Sequence, residues 1–183
     1  MPPAFSASRA GVTPEASGHG SSGTFGRKMY YALATFMSLQ HSIHINALPE
    51  EIFREYTDVA SWKSWDPELL SSSLDGIFCE GATGRLKPRK GPPALFMISE
   101  VSVNCSFTVE SKLPFCIMRF THELIPEGGT TKVIHGVEFH GPLAFVFTKI
   151  IGKQIYKSLP VTLAGLKRRV ELPLLGDEAN ETH

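Results

Sequence analysis

The 183-residue chain is short of cysteine, of net charge and of long apolar runs, and each shortage excludes something. Its three cysteines, Cys79, Cys105 and Cys116, are odd in number and carry no CxxC or zinc-ligand spacing. They read as reduced thiols in a cytosol-like compartment rather than as a disulfide framework. Lys plus Arg and Asp plus Glu are equal at 18 each, so no global charge favours nucleic acid or an anionic membrane surface. No stretch reaches the roughly 18 consecutive apolar residues of a transmembrane helix. There is no Gly-rich phosphate loop, no GxSxG elbow and no HExxH, which leaves nucleophilic and metallohydrolase chemistry without support. The expectation is a cytoplasmic protein without a metal or cofactor and without a nucleic-acid partner.

Large apolar residues are equally scarce in residues 1–28, which are rich in Ser, Gly, Ala and Pro. Such a stretch cannot bury enough surface to offset its ordering entropy, so it reads as a disordered tail. Three explanations stay open for it: a plain tail, a true start at Met29, or organelle targeting carried by Arg9, Arg27 and Lys28. Residues 29–172 form the domain, and 173–183 read as a polar C-terminal tail.

What the chain has is periodicity. From Gly141-Pro142 to Glu171, large apolar residues recur at Leu143, Phe147, Ile151, Ile155, Leu159, Leu163, Leu166 and Val170. Steps of three and four make this the apolar face of a long helix, with a kink expected at Pro160. Thr35 to Asn46 alternates as a strand, placing Met37, Leu39, His41, Ile43 and Ile45 on one face. Leu48-Pro49-Glu50-Glu51 opens a short helix whose buried side is Ile52, Phe53 and Tyr56. A second helical turn spans Val59 to Trp65. Six strand-like segments follow: Ser72 to Phe78, Gly84 to Pro88, Leu95 to Val103, Ser106 to Leu113, Phe115 to Ile125 and Thr130 to His140. Turn signals separate them, so the expected arrangement is an antiparallel meander.

The resulting fold class is α+β, ordered β-α-α-β6-α: a curved antiparallel sheet of about seven strands wrapped on a long C-terminal helix. A twisted sheet cannot follow a straight helix along its whole length, so a cavity between them is expected. This order resembles the helix-grip fold of the START-like (Bet v 1-type) superfamily, and most closely its polyketide cyclase/dehydrase-like branch. The resemblance rests on Ile45-Asn46-Ala47-Leu48-Pro49-Glu50-Glu51-Ile52-Phe53, Trp62-Lys63-Ser64-Trp65-Asp66-Pro67, Gly81-Ala82-Thr83-Gly84, Pro126-Glu127-Gly128-Gly129-Thr130 and Gly141-Pro142-Leu143, and covers roughly residues 36–171. The resembled family includes ligand carriers, enzymes and many members with no assigned role, so function has to be argued from the site.

Alternation puts Cys116, Met118, Phe120, His122 and Leu124 on one face, and Val133, His135, Val137 and Phe139 on the inner face of the next strand. A turn over Pro126–Gly129 sets His122 roughly opposite Val133 and His135 roughly opposite Phe120. Two histidines on a concave apolar face are candidates for binding a polar ligand group or moving a proton. The plainer alternative is a core histidine satisfied by a backbone or tyrosine oxygen. Trp62 and Trp65 are candidates for a lid or ligand wall, or for ordinary packing. Phe107, Val109, Phe120, Val137 and Phe139 from the sheet, with Phe147, Ile151 and Ile155 from the helix, are the expected apolar walls. A His122/His135/Glu100 metal triad has no supporting spacing. Arg119 and Glu123 fall on the outer face and read as solvent-exposed.

Three functions stay open on these residues. The first is binding, with possible transport, of a hydrophobic small molecule or lipid. The second is a cyclase or dehydratase using His122 or His135 as acid and base. The third is an interaction module whose interior is filled.

Overall fold

The computed structural model describes the backbone of residues 39–178, with side chains through Leu172. The expected tail over 1–28, Thr35 to Ser38 of the first strand, and residues 179–183 lie outside the described residues. Strand β1 (Leu39–Ile45) leads into helix α1 (Pro49–Thr57), a 3-10 turn (Val59–Ser61) and the short helix α2 (Trp62–Trp65). Strands β2 (Leu69–Asp75), β3 (Thr83–Pro88), β4 (Ala94–Ser102), β5 (Ser106–Leu113), β6 (Cys116–Glu127) and β7 (Thr130–His140) follow. The chain ends in a short helix α3 (Ala144–Phe147), a π turn (Thr148–Gly152) and the long helix α4 (Lys153–Glu178). The seven strands form one antiparallel sheet in the order β1-β7-β6-β5-β4-β3-β2, so the first strand closes onto the last.

Helix α1 starts where expected. Pro49 takes the first turn, where no N–H is needed, and the Glu51 carboxylate accepts the Leu48 N–H at 2.8 Å. Helix α4 lies along β1: Lys167 Nζ donates to the His44 carbonyl at 2.7 Å, and Asn46 N–H donates to Glu171 at 2.8 Å. It also passes directly beneath α2. A Cβ built at Gly165 would collide with the Trp65 carbonyl oxygen, so only glycine permits this approach. Beside it, Asp66 Oδ1 accepts from the Thr162 hydroxyl at 3.0 Å and from Glu68 N–H at 2.9 Å.

The apolar stripe of the last helix is buried unevenly. Leu159, Leu163, Leu166 and Val170 are buried, whereas Leu143, Phe147, Ile151 and Ile155 are half-buried. The buried half joins the main core of α1, α2 and the sheet; Phe147, Ile151 and Ile155 pack on a smaller cluster of Cys116, Val137 and Phe139. The helix runs on through Pro160, and a π turn at Thr148–Gly152 precedes its longest part. The helix continues past Glu171 to Glu178.

Three strand details differ from expectation. Strand β2 begins earlier and ends at Asp75, because Gly76 takes a φ of +102° and turns the chain, leaving Ile77 exposed. A bulge at Ser99, between the paired Ile98 and Glu100, turns Glu100 to the outer face. There, Arg119 donates to Glu100 at 3.1 Å and pairs with Glu110 at 3.0 Å, and its side chain is only 16% exposed. Arg119 is thus the centre of an ion-pair cluster rather than a solvated charge.

Candidate functional site

The β6–β7 hairpin decides the site. Gly128 and Gly129 have φ of +58° and +97°, which fits a two-residue turn closing directly between Glu127 and Thr130. The four-residue turn inferred from Pro126–Gly129 displaces the pairing by two residues; the faces survive, but the partners change. His122 stands directly opposite His135, and His135 directly opposite His41 on β1. Phe107 on β5 faces His122 from the other side. One row across four strands therefore reads Phe107, His122, His135, His41.

The first three rings of this row are in contact, and the fourth meets the long helix. His122 stacks on Phe107 with centroids 4.0 Å apart and planes 3° from parallel. The His122 and His135 rings meet edge-on at 4.6 Å. His41 sits 4.3 Å from the ring of Tyr156 on the long helix. From above, α1 lowers Tyr56 onto the row: its hydroxyl lies 2.7 Å from His135 Nε2, and its ring contacts Phe107, His122 and Trp65.

Burial sets the charge state. Desolvation holds His122 down to about 3, against the pull of the Phe107 backbone, and holds His135 well below its usual value, with repulsion from His122 adding to the effect. Desolvation also pushes the Tyr56 phenol well up. At neutral pH the group is thus two neutral imidazoles and a phenol. The phenol O–H is the natural donor and His135 Nε2 the acceptor, which leaves the His135 proton on Nδ1. His135 therefore follows the plainer alternative, a core histidine satisfied by a tyrosine. His122 differs: it faces the Phe107 backbone rather than a side-chain partner, and its buried Nδ1, like Trp65 Nε1, makes no bond of good geometry among the described residues. Buried polar atoms without partners are uncommon and cost about 1–3 kcal/mol each.

The candidate residues divide between two clusters. Trp62, Trp65, Phe107 and Val109 are buried in the main core, where Trp62 stacks on Phe96 and donates to the Tyr56 carbonyl at 3.0 Å. Val137, Phe139, Phe147, Ile151 and Ile155 gather around the smaller cluster, and Phe120 packs against both. Met118, Phe120 and His122 point inward on β6 yet are only part-buried, as are Phe147, Ile151 and Ile155. Glu100 is on the opposite face of the sheet from the histidines, and no cluster of three or more His, Cys, Asp or Glu suited to a metal occurs among the described residues.

Sequence reasoning left Tyr56 and His41 out of the site. A signal existed for both. A tyrosine on the buried side of a helix needs a partner for its hydroxyl, and His41 shares the inward face of Ile43 and Ile45.

An open antiparallel sheet gripping a long C-terminal helix, with a neutral polar row on its inner face, defines a helix-grip protein of the START-like class. Residues 37–171 match the family described as polyketide cyclase/dehydrase and lipid transport, and the chain belongs to that family. No curated protein matches the chain. Among solved structures, a protein from Thermus thermophilus is similar with a TM-score of 0.60 at 18% identity, over 75% of this chain and 99% of that one. Norcoclaurine synthase from Thalictrum flavum, in complex with dopamine and hydroxybenzaldehyde, is similar with a TM-score of 0.59 at 14% identity, over 87% and 96%. The Aha1 dimer from Colwellia psychrerythraea has a TM-score of 0.58 at 19% identity, over 74% and 97%. At these identities the likeness is one of fold.

Proposed function

We propose that the protein binds a hydrophobic small molecule between the inner face of the sheet and the first half of the C-terminal helix. The observation that carries the proposal is the contrast within one face. Met118, Phe120, Phe147, Ile151 and Ile155 turn inward but remain partly accessible, and a neutral polar row closes one end of the apolar surface they make. Membership of a family described by polyketide cyclisation and lipid transport supports the same reading.

The polar row selects the head of the ligand. No Lys, Arg, Asp or Glu occupies the inward positions of β5, β6 and β7. An ionised carboxylate placed there has no counter-charge and loses several kcal/mol of hydration. A hydroxyl or carbonyl group needs one hydrogen bond, and the neutral imidazole of His122, part-buried on the inner face, can give or accept it. The ligand is therefore an apolar body with a neutral oxygen head. In displacement assays at neutral pH, a long-chain alcohol is expected to bind at least about tenfold tighter than the carboxylate of equal length; equal affinities would remove the head-group assignment. Ile151→Trp, at a half-buried cleft position, should abolish binding while leaving the melting temperature within a few degrees. Unchanged affinity in that variant places the ligand elsewhere.

A second reading, proton transfer in a cyclase or dehydratase, draws on the Tyr56–His135 bond beside the His122 ring. Burial disfavours imidazolium in both rings, so catalysis by either histidine should give a pH–rate profile without an inflection between about 5 and 8. An inflection in that range would mean that substrate itself re-tunes the row.

A further inference from the structure

The opening turns of the C-terminal helix carry a surface that the cleft does not use. Phe145, Val146 and Ile150 are 68%, 40% and 67% exposed on the side away from Phe147 and Ile151. Beside them, Phe115 in the β5–β6 turn is 77% exposed and holds a left-handed φ of +53°. Its carbonyl accepts the Leu143 N–H at 3.3 Å, which fixes the turn against the start of the helix. Isolated exposed apolar residues are ordinary, but four large ones on two adjoining segments form a patch.

The charge around the patch has one sign. From Phe139 to Val170 the sequence has no Asp or Glu, while Lys149, Lys153, Lys157, Lys167, Arg168 and Arg169 fall within it, in a chain that is neutral overall. Lys149, Lys153 and Lys157 recur every four residues on the exposed side of the helix, and Lys149 Nζ sits 4.1 Å above the Phe145 ring. Exposed aromatic and aliphatic side chains interleaved with lysines, and with no acid among them, match the interface of a bilayer bearing anionic headgroups. A partner protein with an ordinary mixed-charge surface gives no reason for the missing acids.

We infer that Phe115, Phe145, Val146 and Ile150, flanked by Lys149, Lys153 and Lys157, form a docking surface for an anionic phospholipid membrane. The docked segment carries Phe147 and Ile151 on its other side, so docking would bring the cleft against the lipid. The inference does not depend on what the cleft binds.

Vesicle flotation with the full chain tests it, using phosphatidylcholine alone and phosphatidylcholine mixed with phosphatidylserine. Binding is expected to the mixed vesicles, weakening as salt is raised. Lys149→Glu with Lys153→Glu should reduce it by at least roughly fivefold per lysine. Phe145→Ser with Ile150→Ser should reduce it by about tenfold or more, with the melting temperature retained because these side chains are exposed. Phe115→Ser, on a separate element, provides a second apolar probe. Absence of binding to either vesicle, or undiminished binding by the variants, overturns the inference. Self-association that the Phe145→Ser, Ile150→Ser variant abolishes, without vesicle binding, would make the patch a protein contact instead.

Discussion

At the scale of single residues, the histidine row ties the candidate site to stability. Unfolded, His122 and His135 titrate near 6.5; folded, His122 is held down to about 3 and His135 well below its usual value. Between those values the unfolded chain binds more protons than the folded one, so stability rises with pH there and is complete above about 6.5. Both histidines add to that slope, because each folded ring resists the proton that its unfolded form takes up. The Asp66 carboxyl, raised by burial against the bonds from Glu68 and Thr162, acts in the opposite sense as pH rises through the carboxylate range. Denaturant melts at pH 4.5, 5.5, 6.5 and 7.5 should therefore show stability falling steeply below pH 6.5. His122→Phe tests the assignment further. It keeps a ring on Phe107 and removes a buried nitrogen whose bonding is poor, so it should leave stability unchanged or raise it by about 1–2 kcal/mol. It should also remove one of the two histidine slopes and weaken binding of a neutral-headed ligand. A variant that is strongly destabilised at pH 7.5 would mean that the bond between His122 and the Phe107 backbone matters to the fold.

At the scale of elements, close approaches set the geometry. The crossing of α4 under α2 depends on Gly165, and Gly165→Ala forces the helix away from the Trp65 carbonyl. The expected loss is about 1–3 kcal/mol, read as a lower urea midpoint with an unchanged m-value; a midpoint equal to the parent's would show that the crossing is loose. Such contacts explain what the sequence could and could not convey. Alternation in β6 and β7 carried the inward faces of His122 and His135, because side-chain direction has a period of two along the strand. It did not carry their pairing, because register depends on whether Pro126–Gly129 turns through four residues or Gly128-Gly129 turns through two, and the composition permits both. The same limit hid His41, whose place beside His135 comes from the closure of β1 onto β7, a contact between the ends of the domain. Arg119 was placed on the correct face, but its burial follows from Glu100 and Glu110 on two other strands. The bulge at Ser99 that aims Glu100 outward breaks the alternation on which such a reading rests.

At the scale of the whole molecule, the C-terminal helix joins two regions of different firmness. Its second half presents Leu159, Leu163, Leu166 and Val170 to the main core, is clamped by Gly165 and Thr162 under α2, and is tied to β1 through Lys167 and Glu171. Its first half has Phe147, Ile151 and Ile155 only half-buried, and the backbone there contains the π turn at Thr148–Gly152. Fewer buried contacts and a less regular hydrogen-bond pattern mean a lower free energy of local opening. Hydrogen exchange by mass spectrometry should therefore find peptides covering 144–156 exchanging well before those covering 159–170. A neutral-headed apolar ligand fills space beside the first half alone, so its binding should slow exchange in 144–156 and in β6 around Phe120, with little change in 159–170. Equal protection along the helix, or ligand-dependent slowing confined to 159–170, would mean that the cleft is already closed by side chains. In that case the domain would work through its surface rather than its interior.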